Sequence, residues 1–363
     1  MRRPKDYLSL INPFDVVRTK KVLQVNPTVQ TFRKDAEKTR IFVYDYNKET
    51  INSVELKVPE ESFNYIDTHN VSWINIDGLR KKDVENMCGH FQVHPLIAED
   101  ILSMDQRPKM DEIDGVLYCL LNMLFYNERE KSVETEQISI VLGGNFVLSF
   151  QEDPSKDVFN PLRERLKIRV TKLRQNGPDF LFYSLIDMIV DNYYIVMEKL
   201  GENIEMLEEE IIRKSDTRAL ARINMLRKEM IVLKRSVGPV RELVNGILRS
   251  ESELIDEKTE KYFKDVYDHI VQANDLAESY RDMMINLQDL YLSNVNLKMN
   301  EVMKVMAIVT CLLAPATVIG GIFGMNFEKI PWLHNTYGFA IAVGLMLIIP
   351  IYMVFLFRKK GWF

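Results

Sequence analysis

The hydrophobic residues of this sequence are concentrated near its C-terminal end. Residues 305–327 and 337–357 form two apolar runs without a charged side chain, whereas residues 1–300 mix charged and apolar positions as soluble proteins do. At about 1.5 Å per residue, the first run gives roughly 34 Å of helix, enough to cross the hydrocarbon core of a bilayer. Each run contains a proline, which membrane helices tolerate when neighbouring groups satisfy the freed carbonyl. The pattern predicts two transmembrane helices behind a large soluble part.

Residues 1–175 alternate between strand-like and helix-like patterns. The segments rich in β-branched and aromatic residues, which are typical of strands, are 41–46, 71–76, 115–126 and 137–150. Helical spacing occurs over 81–91 and over 95–102, where Pro95 takes the first helical position. This alternation predicts an α/β domain with a mixed sheet.

After Asn176-Gly177-Pro178-Asp179 the strand-like patterns stop, because the following segments have helical spacing throughout. Residues 180–214 and 219–249 are predicted to form two helices, with Ser215-Asp216-Thr217 as the turn and N-cap between them. We therefore expect residues 176–256 to form a second cytosolic region of antiparallel helices.

The next helix is predicted to begin near residue 257, and neither glycine nor proline interrupts it before Pro315. Residues 258–323 as one helix would be about 100 Å long. A helix of that length needs partners, which self-association of several copies around one axis supplies. We expect a stalk helix that continues into the first span over 257–327, an outer loop over 328–336, the second span over 337–357 and a basic tail over 358–363.

The basic residues that flank the spans predict the orientation of the chain. Arg358, Lys359 and Lys360 follow the second span, whereas the connecting loop holds only Lys329 against Glu328. The positive-inside rule places the basic end in the cytosol. With two spans, both termini are then cytosolic, and the protein is a multi-pass protein of the cell (inner) membrane.

Composition excludes several classes of function. The net charge is −5 and no dense basic stripe occurs, which disfavours nucleic-acid binding. No phosphate-binding GxxxxGK[ST] loop, HExxH or GxSxG motif is present, so we expect no nucleotide and no enzyme activity. His90 and His94 are four residues apart, but Pro95 breaks the helix that would align them on zinc. The three cysteines are far apart and form neither a disulfide framework nor a zinc motif: Cys88, Cys119 and Cys311.

The triplet Gly324-Met325-Asn326 closes the first span, just before a short outer loop. An asparagine amide at a pore mouth offers a neutral oxygen to a hydrated cation, whereas a carboxylate would hold a divalent ion more tightly and slow its exit. Magnesium gives up its waters reluctantly, so amide and carbonyl oxygens suit it. The triplet is therefore predicted to be a selectivity filter. Gly and Asn also favour the left-handed end of a helix, so a helix cap is the alternative.

One face of the long helix carries small, hydroxyl and amide residues at alternating spacings of three and four, which is typical of the seam of a parallel bundle. Such a face suits a wet pore better than lipid, although ordinary packing of small residues is the alternative. Two methionines on it could form an apolar constriction that gates by dewetting, and an aspartate nearer the cytosol could form an acidic ring. The predicted pore-lining residues are Asp289, Asn300, Met303, Met306, Thr310, Ala314, Thr317 and Gly321.

Several segments resemble the CorA family of divalent-cation channels over essentially the whole chain. They are HPLIAEDIL (94–102), QRPKM (106–110), YSLIDMIVD (183–191), YFKDVYDH (262–269), NEVMKV (300–305), GMNF (324–327) and RKKGWF (358–363). The resemblance implies a funnel-shaped homopentamer with an α/β/α cytosolic domain that conducts Mg²⁺ and often Co²⁺ or Ni²⁺. It also implies that Mg²⁺ bound between neighbouring subunits closes the channel, with Asp100 and Asp265 as the matching acidic pair and Glu99 and Asp187 as acidic candidates nearby.

Two positions depart from the pattern of that family. Trp332 stands where an acidic residue is common, so an acidic outer ring would depend on Glu328 alone. Ala314 stands where a bulky apolar residue often precedes the proline of the first span, so a constriction at that level would be wider. We expect more of the gating to fall to Met303 and Met306.

The sequence therefore predicts a Mg²⁺ channel whose flux is driven by the membrane potential, which assembles with itself in a lipid bilayer. Mg²⁺ is both the cargo and the regulator, and Co²⁺ and Ni²⁺ are alternative cargoes. A proton-coupled zinc transporter on the same scaffold and a membrane-anchored sensor or tether are the alternatives. The GMN triplet argues against the first, and the polar stripe within the membrane argues against the second.

Overall fold

The computed structural model describes residues 33–66, 68–104, 106–213, 216–325, 327, 330–331 and 335–362. The chain divides into two compact units. The first unit consists of the chain up to Glu208 together with Ala221–Asn286. The second unit consists of Glu209–Leu220 together with the chain from Leu287 onward. The first unit contains the sheet, and the second contains the two apolar runs.

The described residues form a seven-stranded mixed sheet in the order β2-β1-β3-β7-β6-β5-β4. Strands β3 and β7 pair in parallel and the other neighbours pair antiparallel, which confirms the predicted mixed sheet. The single strand predicted over 137–150 is two strands, because a turn around Gly143 divides it. The strands are β1 Arg40–Tyr46, β2 Ile51–Leu56, β3 Val71–Asp77, β4 Lys109–Ile113, β5 Val116–Asn127, β6 Ser132–Leu142 and β7 Phe146–Gln151.

Helices cover both faces of this sheet. The 3₁₀ helix Pro59–Tyr65, α1 (Lys81–His90) and α2 (Pro95–Leu102) lie on one face, where apolar side chains of α1 and α2 share a buried cluster with those of the strands. On the other face, the ring of Trp73 lies 6.1 Å from that of Phe159, the residue before α3 (Asn160–Lys167). Successive strand residues point to opposite faces, which explains how one strand serves both layers. The α/β/α architecture is thus confirmed.

The remaining elements are helical, and they are α4 Lys172–Gln175, α5 Pro178–Arg213, α6 Thr217–Arg249, α7 Glu257–Phe323 and α8 Gly338–Lys359. The Asp216 carboxylate accepts the backbone N–H groups of Arg218 and Ala219 at 2.9 and 3.1 Å, so it caps α6 as predicted. Helix α5 is apolar enough to span a membrane, but 67% of its apolar window is buried within the chain, as expected of a core helix.

The apolar windows of α7 and α8 are only 6% buried within the chain. Such exposed apolar surface on long helices is typical of membrane spans. Helix α7 contains residues 305–323 of the first predicted run, which was expected to stay helical to residue 327, and α8 contains residues 338–357 of the second. The two helices approach each other at Gly320, where an added Cβ would lie 3.7 Å from the terminal methyl carbon of Met346. Ile308 of α7 and Ala342 of α8 are buried. At the end of α8, Gly361 adopts a φ of +68°, and Trp362 turns back to stack on the ring of Phe357 at 5.3 Å.

Candidate functional site

The predicted pore-lining residues of α7 are all exposed in the single chain. The positions of α7 that are buried or half-buried include Ile308, Leu312, Ala316 and Ile319, which recur one turn apart on another side of the helix. The predicted pore-lining residues lie outside this more buried side, so the single chain leaves them exposed. Here "polar stripe" means the predicted set Asp289, Asn300, Met303, Met306, Thr310, Ala314, Thr317 and Gly321.

The two threonines of the polar stripe donate their hydroxyl protons to their own helix. The Thr310 hydroxyl donates to the carbonyl of Met306 at 2.9 Å, and the Thr317 hydroxyl donates to the carbonyl of Leu313 at 3.1 Å. These bonds satisfy the hydroxyl hydrogens, so each oxygen is left with lone pairs as an acceptor. Met303 and Met306 are 63% and 64% exposed, so the apolar level of the stripe is exposed in the single chain like its polar levels.

The predicted filter lies just beyond the end of α7. Gly324 donates its N–H to the carbonyl of Gly320 at 2.9 Å, which extends the helical bonding past Phe323. Gly324 is not one of the described glycines that have a positive φ. The left-handed helix cap considered for this residue therefore does not form at Gly324. A Cβ on Gly324 would lie 3.0 Å from the Gly320 carbonyl oxygen, which favours glycine. Asn326 lies outside the described residues, as do three loop residues used in the prediction: Glu328, Lys329 and Trp332.

Asp100 already has a cationic partner within its own chain. The Lys109 ammonium, on strand β4, lies 2.6 Å from Asp100 Oδ2 and 3.3 Å from Asp111 Oδ2. Burial opposes the charge of Lys109, but its bonds and charge interactions with the two aspartates raise the pKa of Lys109 above the ordinary value. The Asp100 side chain is only 18% exposed, and the Gln137 amide donates to its backbone carbonyl at 3.1 Å. Glu99 lies beside it on α2, half-buried.

Asp187 and Asp265 lie near each other in the first unit, on α5 and α7. Burial is the main cause that raises the pKa of Asp187, and the negative charge of neighbouring Asp191 raises it further. The charge of Asp265 also raises this pKa, by a smaller amount. The Tyr183 hydroxyl donates to Asp187 Oδ2 at 3.2 Å. Asp265 is exposed in the single chain.

Within the described part of the chain, the only group of three or more metal-ligating side chains is Asp187, Asp191 and His269, whose ligand atoms lie within 4.8 Å of one another. Neither Asp100 nor Asp265 belongs to it, so one chain alone does not bring the predicted acidic pair into a metal site. Asp191 and His269 were not among the predicted ligands. The i, i+4 spacing of Asp187 and Asp191 in YSLIDMIVD was the available signal for one side of the group.

The two histidines that were set aside as zinc ligands have structural partners. His94 caps α2, because its Nδ1 accepts the Leu96 N–H at 3.2 Å. The His90 ring stacks on Phe63 at 4.0 Å and its Nε2 bonds the Phe63 carbonyl at 3.2 Å.

These features define a two-span membrane protein with an α/β/α domain and a long helix that continues into the first span. Residues 69–359 match the family model described as "CorA-like Mg2+ transporter protein". The chain therefore belongs to this family, whose members are ion transporters or channels and not enzymes.

Known relatives and structures match most of the chain. It is 38% identical over 332 residues to "Cobalt/magnesium transport protein CorA" of Thermotoga maritima, covering 91% of this chain and 93% of the relative. It is 31% identical to "Putative metal ion transporter YfjQ" of Bacillus subtilis, covering 82% of this chain and 92% of the relative. The structure of the complete CorA magnesium transporter from Methanocaldococcus jannaschii shares the fold, with a TM-score of 0.72 at 23% identity, covering 89% of this chain and 98% of that one.

Proposed function

We propose that the protein is a channel for Mg²⁺, with Co²⁺ and Ni²⁺ as further cargoes, formed by five copies around one axis. The observation that carries the proposal is the polar stripe of α7, whose residues are all exposed in the single chain. Two spans cannot enclose a pore, so the stripes of several copies must meet, and a closed ring of identical subunits implies cyclic symmetry. The cobalt/magnesium transport named for the Thermotoga relative supports this choice of cargo.

In the ring, the polar stripe would line the pore and Gly324, Met325 and Asn326 would form its outer mouth. Mg²⁺ keeps its waters, so acceptor groups at Asn300, Thr310 and Thr317 would contact the hydration shell and not the bare ion. Such contacts are weak, which conduction requires. Met303 and Met306 are apolar and would close the pore by excluding water, whereas Ala314 leaves it wide. Asp289 would gather cations on the cytosolic side.

The membrane potential suffices to drive entry. A divalent cation that crosses 100 mV, negative inside, gains about 4.6 kcal/mol, so no nucleotide is needed. The decisive experiment is flux into liposomes that contain the purified protein and a Mg²⁺-sensitive dye, under a K⁺ diffusion potential. A channel gives potential-driven Mg²⁺ entry. Zn²⁺ flux that follows a pH gradient would support the zinc transporter, and absence of any flux would support the tether.

Both termini are proposed to lie in the cytosol, with the loop 328–336 outside. A cysteine at Asn335, in a variant whose exposed Cys311 is replaced by alanine, is expected to react with an impermeant thiol reagent added outside intact cells, because the basic residues after α8 favour the cytosolic side. Cys88 and Cys119 are buried and serve as the internal background. Labelling that occurs only after the cells are opened would reverse the orientation.

The channel is proposed to close when Mg²⁺ bridges Asp100 of one subunit and Asp265 of the next. Carboxylate oxygens are the ligands that Mg²⁺ prefers, so the residues fit the ion. Two carboxylates held close repel, and a divalent cation between them removes that cost. Lys109 already neutralises Asp100 in the single chain, and it would compete with Mg²⁺ for the same oxygen.

Replacing Lys109 by methionine is therefore expected to strengthen Mg²⁺ regulation. Methionine keeps an unbranched side chain but removes the charge that competes for Asp100. The Mg²⁺ concentration that half-protects the protein from protease should fall roughly fivefold, which corresponds to about 1 kcal/mol for a partly exposed ion pair. Lys81→Met is the matched control, because Lys81 pairs with Glu85 at 3.7 Å in the same domain. If the Mg²⁺ concentration for half-protection is unchanged or higher in Lys109→Met, Lys109 does not compete with Mg²⁺ for Asp100.

A further inference from the structure

A polar cleft lies at the edge of the sheet where β1 begins and where β2, β3 and β7 end. Arg40 of β1 pairs with Asp77 of β3, and Asp77 pairs in turn with Gln151 of β7. Because β3 and β7 are parallel, their carboxyl ends meet at this edge, and such edges of open α/β sheets commonly bind ligands. The described lining of the cleft includes neither Asp100 nor Asp265, so the cleft is separate from the proposed Mg²⁺ bridge.

The cleft consists of two adjoining cavities of about 620 and 270 Å³, which share Arg40, Pro154 and Ser155 in their walls. The larger volume is within the range of small-molecule sites in proteins, roughly 300–1,000 Å³. Basic side chains outnumber acidic ones in its lining, although the whole chain carries a net charge of −5. Such a cavity attracts anions, because walls of low dielectric concentrate the field of the charges that line it. The basic residues are Lys38, Arg40, Lys57 and Arg80, and the acidic residues are Glu37 and Asp83.

The chain segment that forms one wall of the larger cavity is fixed to the end of β3. The Ala36 N–H donates to the carbonyl of Leu79 at 3.0 Å, and Nε of Arg80 donates to the carbonyl of Ala36 at 3.0 Å. Gly78 adopts a φ of +84°, and a Cβ there would lie only 2.2 Å from the Lys38 carbonyl oxygen, so glycine permits this close approach. The larger cavity is therefore held by backbone contacts and does not need a ligand in order to form.

Three cationic side chains of the larger cavity are available to a ligand. Among the described residues, Lys38 and Lys57 form no ion pair. Arg40 pairs only with Glu55, at 3.4 Å, and both of these side chains are more than half exposed. Exposed pairs of this kind contribute little to stability, so an anion that binds Arg40 displaces a weak partner.

The smaller cavity combines acidic groups that already have partners with an arginine that has free donors. The Asp77 carboxylate accepts the Gln151 amide at 2.6 Å, and Asp157 accepts Nη1 of Arg163. The Arg163 side chain is 8% exposed, and Nη1 also donates to Asn160 at 2.9 Å. Its buried Nε and Nη2 make no hydrogen bond in the described structure. Buried donors are almost always paired, so these two nitrogens add to the cationic character of the cleft.

We propose that the cleft binds a small molecule that carries phosphate groups, with the phosphate at Lys38, Arg40 and Lys57 and any organic part toward the smaller cavity. Lysine and arginine form charge-assisted hydrogen bonds with phosphate oxygens. The half-buried ring of Phe42, which lines the smaller cavity, offers an apolar surface to the organic part. Residues 1–32 of the chain itself are a poor occupant, because basic residues outnumber acidic ones among them.

The test is a calorimetric titration of the full-length protein in detergent with inorganic pyrophosphate, in a buffer without divalent cations so that chelation adds no heat. We expect one pyrophosphate per subunit. Arg40→Gln and Lys57→Gln should each weaken binding about tenfold, the low end for a hydrogen bond to a charged group. Lys48→Gln is the matched control and should bind as the parent does, because Lys48 is exposed in the turn after β1, at the other end of that strand from Arg40.

A comparison of ribose 5-phosphate with inorganic phosphate separates the two sources of such a ligand. Tighter binding of the ester assigns its organic part to the smaller cavity, whereas equal binding assigns the cleft to free phosphates.

Four outcomes would overturn the proposal: no binding of pyrophosphate at millimolar concentration, parental affinity in both Arg40→Gln and Lys57→Gln, equal weakening in Lys48→Gln, or citrate binding as tight as that of pyrophosphate. The last two would indicate a general attraction of anions. All three substituted residues are exposed, so the variants should fold, and thermal melting checks this. None of these measurements uses transport or Mg²⁺, so their failure would leave the proposed channel untouched.

Discussion

Asn326→Ala is expected to abolish Mg²⁺ uptake while the oligomer stays intact. Asn326 follows Gly324 and Met325 in the proposed filter, beyond the end of α7 at Phe323. Removing the amide oxygen leaves the hydrated ion without its first acceptor as it sheds part of its outer hydration. Flux should fall to that of empty liposomes, and size-exclusion chromatography should give the parent's elution volume.

Asn335→Ala is the matched control for this experiment. Asn335 lies in the same loop between the two spans, and its Oδ1 accepts the Tyr337 N–H at 2.9 Å, so this change removes one turn hydrogen bond and no proposed pore contact. Its flux should remain close to that of the parent. Normal uptake by Asn326→Ala would eliminate the filter assignment, whereas loss of uptake in both variants would indicate damage to the loop itself.

Asp265→Lys is expected to eliminate the dependence of protease protection on Mg²⁺. The lysine places an ammonium where the bridging ion would lie, so neighbouring subunits should stay associated without Mg²⁺. A bound ion biases gating only through its different affinities for the closed and open states, and a permanent cation removes that difference. Protection measured by limited proteolysis should therefore be the same with Mg²⁺ and with chelator.

Asp265 is a better position for this change than Asp100, because Lys109 already lies 2.6 Å from Asp100 and a second ammonium there would be repelled. Asp268→Lys supplies the control, since Asp268 is exposed on the same helix and outside the proposed bridge. It should keep the parent's Mg²⁺-dependent protection. If Asp265→Lys keeps that dependence too, Asp265 is not part of the sensor.

Local patterns predicted most of the fold and less of the site. The apolar runs and the helical spacing predicted α5 to α8 closely, because helix patterns repeat over many residues. Strands β2 and β4 were missed, since they are short and polar. β4 carries Lys109, so the ion pair with Asp100 could not be anticipated from sequence.

The metal-ligating group shows the same limit. Asp187 and Asp191 are neighbours through helical spacing, but His269 joins them only because α7 packs beside α5, about 80 residues away along the chain. Pairing at such distances is set by tertiary packing, which one sequence does not reveal. The proposed pairing of Asp100 with Asp265 is harder still to predict from one sequence, because it requires a second subunit. It came only from the family resemblance.

The hydrogen bonds of Thr310 and Thr317 have a consequence for charge selectivity. Because their hydroxyl protons are donated to the carbonyls of Met306 and Leu313, these levels of the proposed pore present lone pairs and no donors. A chloride ion needs donors, and it would find none there, whereas the waters around a cation donate outward and meet acceptors. The pore would thus reject anions at these two levels without a fixed negative charge, and so without a group that traps a divalent ion.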